Sequence, residues 1–322
     1  MFLHVVYKIL GQPLVTGHSD GVYIGVLLVV IVEELQHLNK KDLLKLFAIV
    51  TLSDGYLYKR FGKPKNIRLI TSPGGDSQHD YFEYLCLQLF NRKPRRRSYI
   101  KKSTNQKFLL SELNYRAGIT KLYALSPEFN TTPGNKSKTD YLRSSQPSLK
   151  FLFNENENLQ WLAFRTYFDF DGSIVASVKL KNKKDKKKGK TYNYFQVQFE
   201  CEVQIAETNP QLVHHLVLLC NNLGLRATIK KDKRNWSQLS GVCITERKSI
   251  RKFLEMGGPL TNVQISKKGP RLAGFTKKKI CRNLLNVLLL PNFKFSKSFK
   301  EKATALEYQS QFNKILFEKL TS

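Results

Sequence analysis

The sequence predicts an α+β protein of two similar lobes, each running αββαββα, followed by a helical C-terminal appendage. Three observations carry this. Two apolar runs, FAIVTLSDGYL (47–57) and FRTYFDFDGSI (164–174), have helical periodicity, close on Asp-Gly and open into strand-like sequence. Their aspartates, Asp54 and Asp171, stand 117 residues apart (171 − 54). A matched amphipathic run follows each corner, YLCLQLF around Cys86 and LVLLCNNLG around Cys220. Between the two units, 127–154 is rich in Pro, Ser, Thr, Asn and Lys, the composition of a linker and long for a connection inside one compact unit.

The elements follow in order. Leu43, Leu44, Phe47, Val50 and Thr51 recur at i, i+3, i+4 spacing and predict a helix ending at Gly55. Runs 55–61 and 66–71 read as strands around the turn residues Gly62 and Pro64. An amphipathic helix is expected over 78–90, short strands over 97–101 and 107–110, and a helix over 112–125. The second unit repeats this order: helix 159–170, strands 172–180 and 192–206, helix 211–223, strands 226–231 and 238–245, helix 247–256. Asp54 to Cys86 spans 32 residues (86 − 54) and Asp171 to Cys220 spans 49 (220 − 171). The difference falls where the second copy carries the lysine-rich KNKKDKKKGK, 181–190, read as an inserted loop. Past Gly257-Gly258-Pro259, helical patterns over 277–290 and 299–320 form the appendage. The division predicted is an N-terminal extension 1–32, a first lobe 33–126, a linker 127–154, a second lobe 155–258 and a basic helical extension 259–322.

Composition narrows the partner. Lys and Arg total 54 against 25 acids, a net charge of +29, which calls for a phosphate-rich or anionic surface and says nothing of fold. The five cysteines are scattered, with no CxxC pair, so neither a disulfide framework nor a zinc site is indicated and a reducing compartment is expected. The apolar run at 22–32 is too short to cross a bilayer and meets Glu33-Glu34 at once; no membrane association is expected. His214 and His215 are adjacent on a helix and face different ways, so they make no metal pair. P-loop, GxSxG, HExxH and dinucleotide fingerprints are missing from the sequence.

The two corners carry the chemistry. A helix closing on Asp-Gly leaves a carboxylate at its C-terminal end, where the macrodipole is already negative and main-chain carbonyls are free. Carboxylate and carbonyl oxygens suit a hard cation such as Mg²⁺. Two such ends brought together would flank a metal cluster.

FRTYFDFDGSI, and more loosely FAIVTLSDGYL, resemble the two signature motifs of the monomeric, two-repeat LAGLIDADG homing endonucleases, and the αββαββα order over about 40–257 is similar to that family's duplicated fold. The resemblance implies that the motif helices pack side by side on a pseudo-twofold axis. It implies that Asp54 and Asp171, with the main-chain carbonyls of Ser53 and Phe170, hold Mg²⁺ or Mn²⁺. The activity it implies is a site-specific DNA endonuclease that makes a double-strand break at a long asymmetric target and promotes intron homing, acting as a monomer in the cytoplasm or the organelle matrix holding the host genome. An RNA maturase acting on intron RNA, or a non-catalytic nucleic-acid-binding protein of the same fold, is the alternative. Lys107 and Lys230 are candidates by location for the lysine common near such a cluster. Two departures stand out: the family's helix-contact glycine is replaced by Ile49 and by Thr166, which bears on how closely the helices pack, and Leu52 stands where the first motif often has an acid. Asp169 is assigned a local hydrogen-bonding role.

Antiparallel, curved sheets of four strands would make two saddles along the major groove of double-stranded DNA, where every base pair shows a distinct donor and acceptor pattern. By strand alternation Tyr56, Tyr58 and Arg60 in one lobe, and Ser173, Ser177 and Lys179 in the other, are candidate base readers, with Asn193, Gln196 and Gln198 on the following strand. The basic clusters 92–97 (with Arg95, Arg96 and Arg97), 181–190, 230–234 (with Lys231 and Arg234) and 277–279 are read as phosphate contacts.

Overall fold

The computed structural model describes residues 34–60, 63–101, 105–187, 190–265, 272–291, 293 and 295–322; the extension expected at 1–32 lies outside the described residues. Helix α1 (Lys40–Leu52) opens the first lobe, its N-terminus capped by the Asn39 side chain, which accepts from the backbone N–H of Lys41 and Asp42. Strands β1 (Gly55–Arg60) and β2 (Lys63–Thr71) lead to helix α2 (Asp76–Phe90), then β3 (Arg95–Lys101), β4 (Gln106–Leu113) and helix α3 (Arg116–Tyr123). The four strands form one antiparallel sheet in the order β1-β2-β4-β3.

Beyond a connection that contains a short helix α4 (Lys138–Arg143) and a 3₁₀ turn (Lys150–Leu152), the pattern recurs. Helix α5 (Glu157–Asp171) is capped by Asn156 and leads directly into β5 (Gly172–Lys187) and β6 (Lys190–Ala206). Helix α6 (Pro210–Asn222), strands β7 (Thr228–Lys231) and β8 (Leu239–Ile244), and helix α7 (Arg247–Glu255) follow. This sheet runs β5-β6-β8-β7, the same path as the first. The expected αββαββα order therefore stands in both lobes.

Helices α1 and α5 pack against each other and against their own sheets, so from Lys45 to Leu52 and from Leu159 to Phe170 every residue is buried. That explains why neither motif reads as a one-sided amphipathic stripe. Ile49 and Thr166, at the positions where glycine is usual, are both sealed from solvent. Thr166 puts its hydroxyl 3.1 Å from Tyr81 Oη of α2, a hydrogen bond across the lobes.

Four features differ from the sequence reading. Residues 109–113, expected to lead into a helix over 112–125, continue β4 to Leu113, because Leu109, Leu110 and Leu113 mimic helical spacing. In the lysine-rich 181–190, residues 181–187 and 190 are paired strand rather than loop: β5 and β6 stay in register from Gly172↔Ile205 to Lys187↔Lys190. The connection 127–154 is anchored, with Leu149 N–H donating to His215 Nδ1 at 3.1 Å and Asn209 Nδ2 donating to Tyr141 Oη at 2.8 Å.

The C-terminal segment is the fourth. Helix α8 (Lys277–Leu289), a fifth strand β9 (Ser296–Phe299) paired to β6, and helix α9 (Lys302–Thr321) are built into the second lobe. Phe293 and Phe295 pack on Phe199 of β6 at 5.3 and 6.1 Å between ring centroids, and Gln309 Nε2 donates to the Val178 carbonyl at 3.0 Å. Each buried Phe or Leu of this kind stabilises the fold by about 1.5–3 kcal/mol.

Candidate active site at the seam between the lobes

Both Asp-Gly corners sit where α1 and α5 end side by side. Ser53 caps α1, its N–H and hydroxyl both donating to the Ile49 carbonyl, and Asp54 follows in the turn; Asp171 is the last residue of α5. The glycines are there for space. Gly172 has φ −85°, an ordinary extended backbone, but a Cβ would lie 2.3 Å from the Phe168 carbonyl oxygen. At Gly55 a Cβ would lie 2.6 Å from the Val50 carbonyl oxygen. Each glycine thus lets the departing strand fold back tightly on its helix.

The electrostatics join the two acids. Burial raises the Asp54 carboxyl to about 6, against the lowering effects of the Lys277 charge and a hydrogen bond from Gln78. Burial also pushes Asp171 well above the ordinary carboxylate value, and the Asp54 and Glu207 charges push it further in the same direction, opposed by Lys277. Gln78 Nε2 reaches Asp54 Oδ2 at 3.3 Å and the Asp169 carbonyl at 3.2 Å, so one α2 side chain touches both lobes. Asp169, fully buried, takes the hydrogen-bonding role expected of it: its Oδ2 accepts from Thr261 N–H at 2.9 Å. Burial raises its carboxyl to about 7.

The lysine at this centre is Lys277. Its Nζ donates to the main-chain carbonyls of Asp169 (2.8 Å) and Phe168 (3.1 Å), and only 7 % of the residue is exposed. Burial pulls the Lys277 ammonium below the ordinary lysine value, while Asp169, Asp54 and Asp171 pull it up. Lys107 and Lys230 are elsewhere. Lys107 alternates with Leu109 and Ser111 on the face of β4 that α2 covers, and Lys230 lies 4.0 Å from Glu202. The 277–279 cluster is likewise no row of phosphate contacts, since its first member is sealed in the protein.

A cleft of about 420 Å³ opens beside these groups, walled by Asp54, Ile70 and Phe108 from the first lobe, Phe170 and Ser173 from the second, and Val263 to Ile265 with Lys277. Two carboxyls held above their ordinary value by burial, with the Asp54 charge adding to the effect on Asp171, form beside helix-end carbonyls a donor set that fits a hard divalent cation. Ser53 and Phe170 each precede their aspartate, as a carbonyl ligand would. Among the described residues no group of three His, Cys, Asp or Glu side chains converges as a metal site. An ion at the seam would therefore complete its shell with main-chain, water or substrate oxygen.

On the open faces the register sorts the candidate readers. Tyr56 and Tyr58 share a face with Arg68, whose guanidinium stacks 3.8 Å from the Tyr58 ring centroid, and with Arg95 and Arg97 across β4. Arg60 closes β1, and its side chain lies outside the described residues. Arg96 faces the other way, bonded at 2.6 Å to both Asp76 and Asp80 of α2, so it is a structural ion pair. In the second sheet Ser173 and Lys179 share the open face with Gln196 and Gln198, and Ser177 lies in the same register with its hydroxyl buried beneath its neighbours. Asn193 is one residue out of phase and belongs to the opposite face. Lys231 is exposed on β7, and Arg234 is exposed beside Asp232 at 2.7 Å. Sequence reasoning missed Gln78, Ser296 and Ser298; the two serines lie opposite Gln198 and Gln196 and widen the open face. It also missed Lys277, although a signal existed: 277 continues the stripe Ile280, Cys281, Leu284, Val287, all buried.

Residues 159–258 match the LAGLIDADG-like domain family. The second lobe thus matches a LAGLIDADG-like domain, and the first lobe repeats its element order and sheet path. Among solved structures the chain is similar to the homing endonuclease I-DmoI in complex with DNA and calcium, at 14% identity and TM-score 0.41, covering 72% of this chain and 98% of that one. It is also similar to the homing endonuclease I-WcaI bound to its DNA recognition sequence, at 14% identity and TM-score 0.36, covering 78% and 91%. A third is the N-terminal LAGLIDADG domain of DUF199/WhiA, at 11% identity and TM-score 0.38, covering 74% and 93%. No curated protein matches the chain.

Proposed function

We propose that this protein is a divalent-metal-dependent, site-specific DNA endonuclease that makes a double-strand break at a long asymmetric target and thereby promotes intron homing. The observation that supports this above all is the meeting of Asp54 and Asp171, one from each lobe, beside a cleft between two open sheet faces. Mg²⁺ or Mn²⁺ bound there would polarise a scissile phosphate, activate water and neutralise the leaving oxygen. The chain's own part is to hold the ligands: Asp54 and Asp171 with the Ser53 and Phe170 carbonyls, and Gln78 orienting Asp54. The face bearing Tyr56, Tyr58, Arg95, Arg97, Ser173, Lys179, Gln196 and Gln198 would read base edges and phosphates. The two halves differ in sequence, so the target is asymmetric, and one chain supplies both halves, so it acts as a monomer in the compartment of the host genome.

A second reading is a nucleic-acid-binding protein of the same fold, such as one acting on intron RNA. One observation favours it: a buried ammonium already stands at the acidic seam. Incubating the protein and Mg²⁺ with DNA of the uninterrupted host allele, and mapping the ends, decides between them. Cleavage of both strands by wild type, lost in Asp54→Asn and Asp171→Asn with DNA binding retained, is the expected result. Binding without cleavage in wild type would leave the second reading.

A further inference from the structure

Lys277 is placed where a lysine is expensive. It is almost wholly buried, and it is the first residue of α8, the positive end of its own helix. What offsets that cost lies outside α8. The ammonium bonds the Asp169 and Phe168 carbonyls at the negative end of α5, and it faces the charges of Asp169, Asp54 and Asp171. The backbone on either side of the seam is pinned to match: Arg165 Nε donates to the Gly258 carbonyl at 2.7 Å, Thr261 N–H donates to Asp169, and Lys277 N–H donates to the Val263 carbonyl at 2.9 Å. The contacts of Gly258, Thr261 and Val263 thus set Lys277 at the spot where the two lobes present their acids.

We propose that the Lys277 ammonium is the resident cation of this centre: it holds the carbonyl end of α5, balances the acidic pair, and a divalent ion binds there in competition with it. This rests on the reading of Asp54 and Asp171 as the ion-binding pair. The ammonium and a divalent ion are like charges drawn to one acidic cluster, and at a few ångströms their repulsion is costly in a partly buried site. Lys277 is a positioning residue, acting on the ion through charge and not on the substrate.

The test is Mn²⁺ affinity without DNA, by calorimetry or by electron paramagnetic resonance of free Mn²⁺, on the full chain. Lys277→Met removes charge and donor; Lys277→Gln removes charge and keeps a donor for the carbonyls; Lys277→Arg keeps the charge. Both neutral variants are expected to bind Mn²⁺ about tenfold or more tightly than wild type, and Lys277→Arg no more tightly than wild type. The gain should vanish when Asp54→Asn or Asp171→Asn is added. Neutral variants that bind Mn²⁺ as wild type does, or more weakly, overturn the competition while leaving the acidic pair as the ion site. A gain that survives loss of either aspartate puts the ion elsewhere and overturns it too. If wild type and both neutral variants bind no Mn²⁺, this inference and the metal-dependent reading fall together. If Lys277→Met does not fold, Lys277→Gln alone gives the answer.

Discussion

Asp54 and Asp171 carry opposite obligations, to the fold and to the chemistry. Both are held above the ordinary carboxylate value, chiefly by burial, and Asp54's charge adds to the effect on Asp171. A group whose folded-state value is raised favours the fold at low pH, and that contribution is lost as pH rises through the raised value. For Asp54 the window closes near about 6, and Asp171 is displaced in the same direction. In EDTA the wild-type protein should therefore lose stability through this pair as pH climbs from the ordinary carboxylate value of 3.8 through about 6. Asp171→Asn should flatten that slope and raise the melting temperature at neutral pH, each 1 kcal/mol reading as about 2–4 °C. Thermal melts across pH check this; a lower melting temperature for the variant in EDTA would contradict it. The aspartates themselves are legible in the sequence, because a duplicated Asp-Gly is a local signal. Gln78 and Lys277 are not. Gln78 is one polar residue among several in an amphipathic helix, and Lys277 looks like one of three exposed lysines, since tertiary burial leaves only a faint periodic trace.

At the scale of elements, the helix-to-strand corner sets the geometry of the centre. Gly172→Ala would drive a methyl group into the Phe168 carbonyl and ring. The expected cost is about 1–3 kcal/mol, the range for overpacking, with a loss of cleavage beyond what stability explains because the Asp171 backbone must shift. Denaturant unfolding beside a cleavage assay measures both. An undamaged Gly172→Ala protein would mean that the corner has slack the structure does not show. The motif helices are legible as apolar runs closing on Asp-Gly, and α2 and α6 through their amphipathic periodicity. The strand through 181–187 is not, since lysines disfavour strands and it is the pairing to 190–196 that makes it one. Four-residue β9, Ser-Lys-Ser-Phe, has too little alternation to announce itself. Asn193 falls on the face opposite to the expected one because its amide suggests base reading while its odd place in the two-residue repeat turns it away.

The molecule as a whole is two lobes plus a segment that completes the second. An appendage would be dispensable; this segment is not placed like one, because Phe293 and Phe295 cover Phe199, β9 pairs with β6 and α9 packs on β5 and β6. Removing residues 292–322 should expose that apolar face, giving a chain that is insoluble or melts well below the full protein. Circular dichroism melts and sedimentation would show it, and a truncated chain as stable as the full one would restore the appendage view. The strongly basic balance fits a polyanion spread over both sheets. Neutralising one phosphate-binding lysine or arginine should flatten the salt dependence of DNA binding by about 0.9 in slope, measured by titration at several salt concentrations.

Synthesis order gives the lysine of the seam a last consequence. Asp54 and Asp171 leave the ribosome well before Lys277, the later of them by roughly 100 residues, or about 5–20 s at 5–20 residues per second. Through that interval the nascent lobes hold two mutually repelling acids and no internal counter-charge. A divalent ion would therefore meet the acidic pair of a half-made chain without the ammonium that competes with it, and would lose that advantage once the segment outside both repeats has docked.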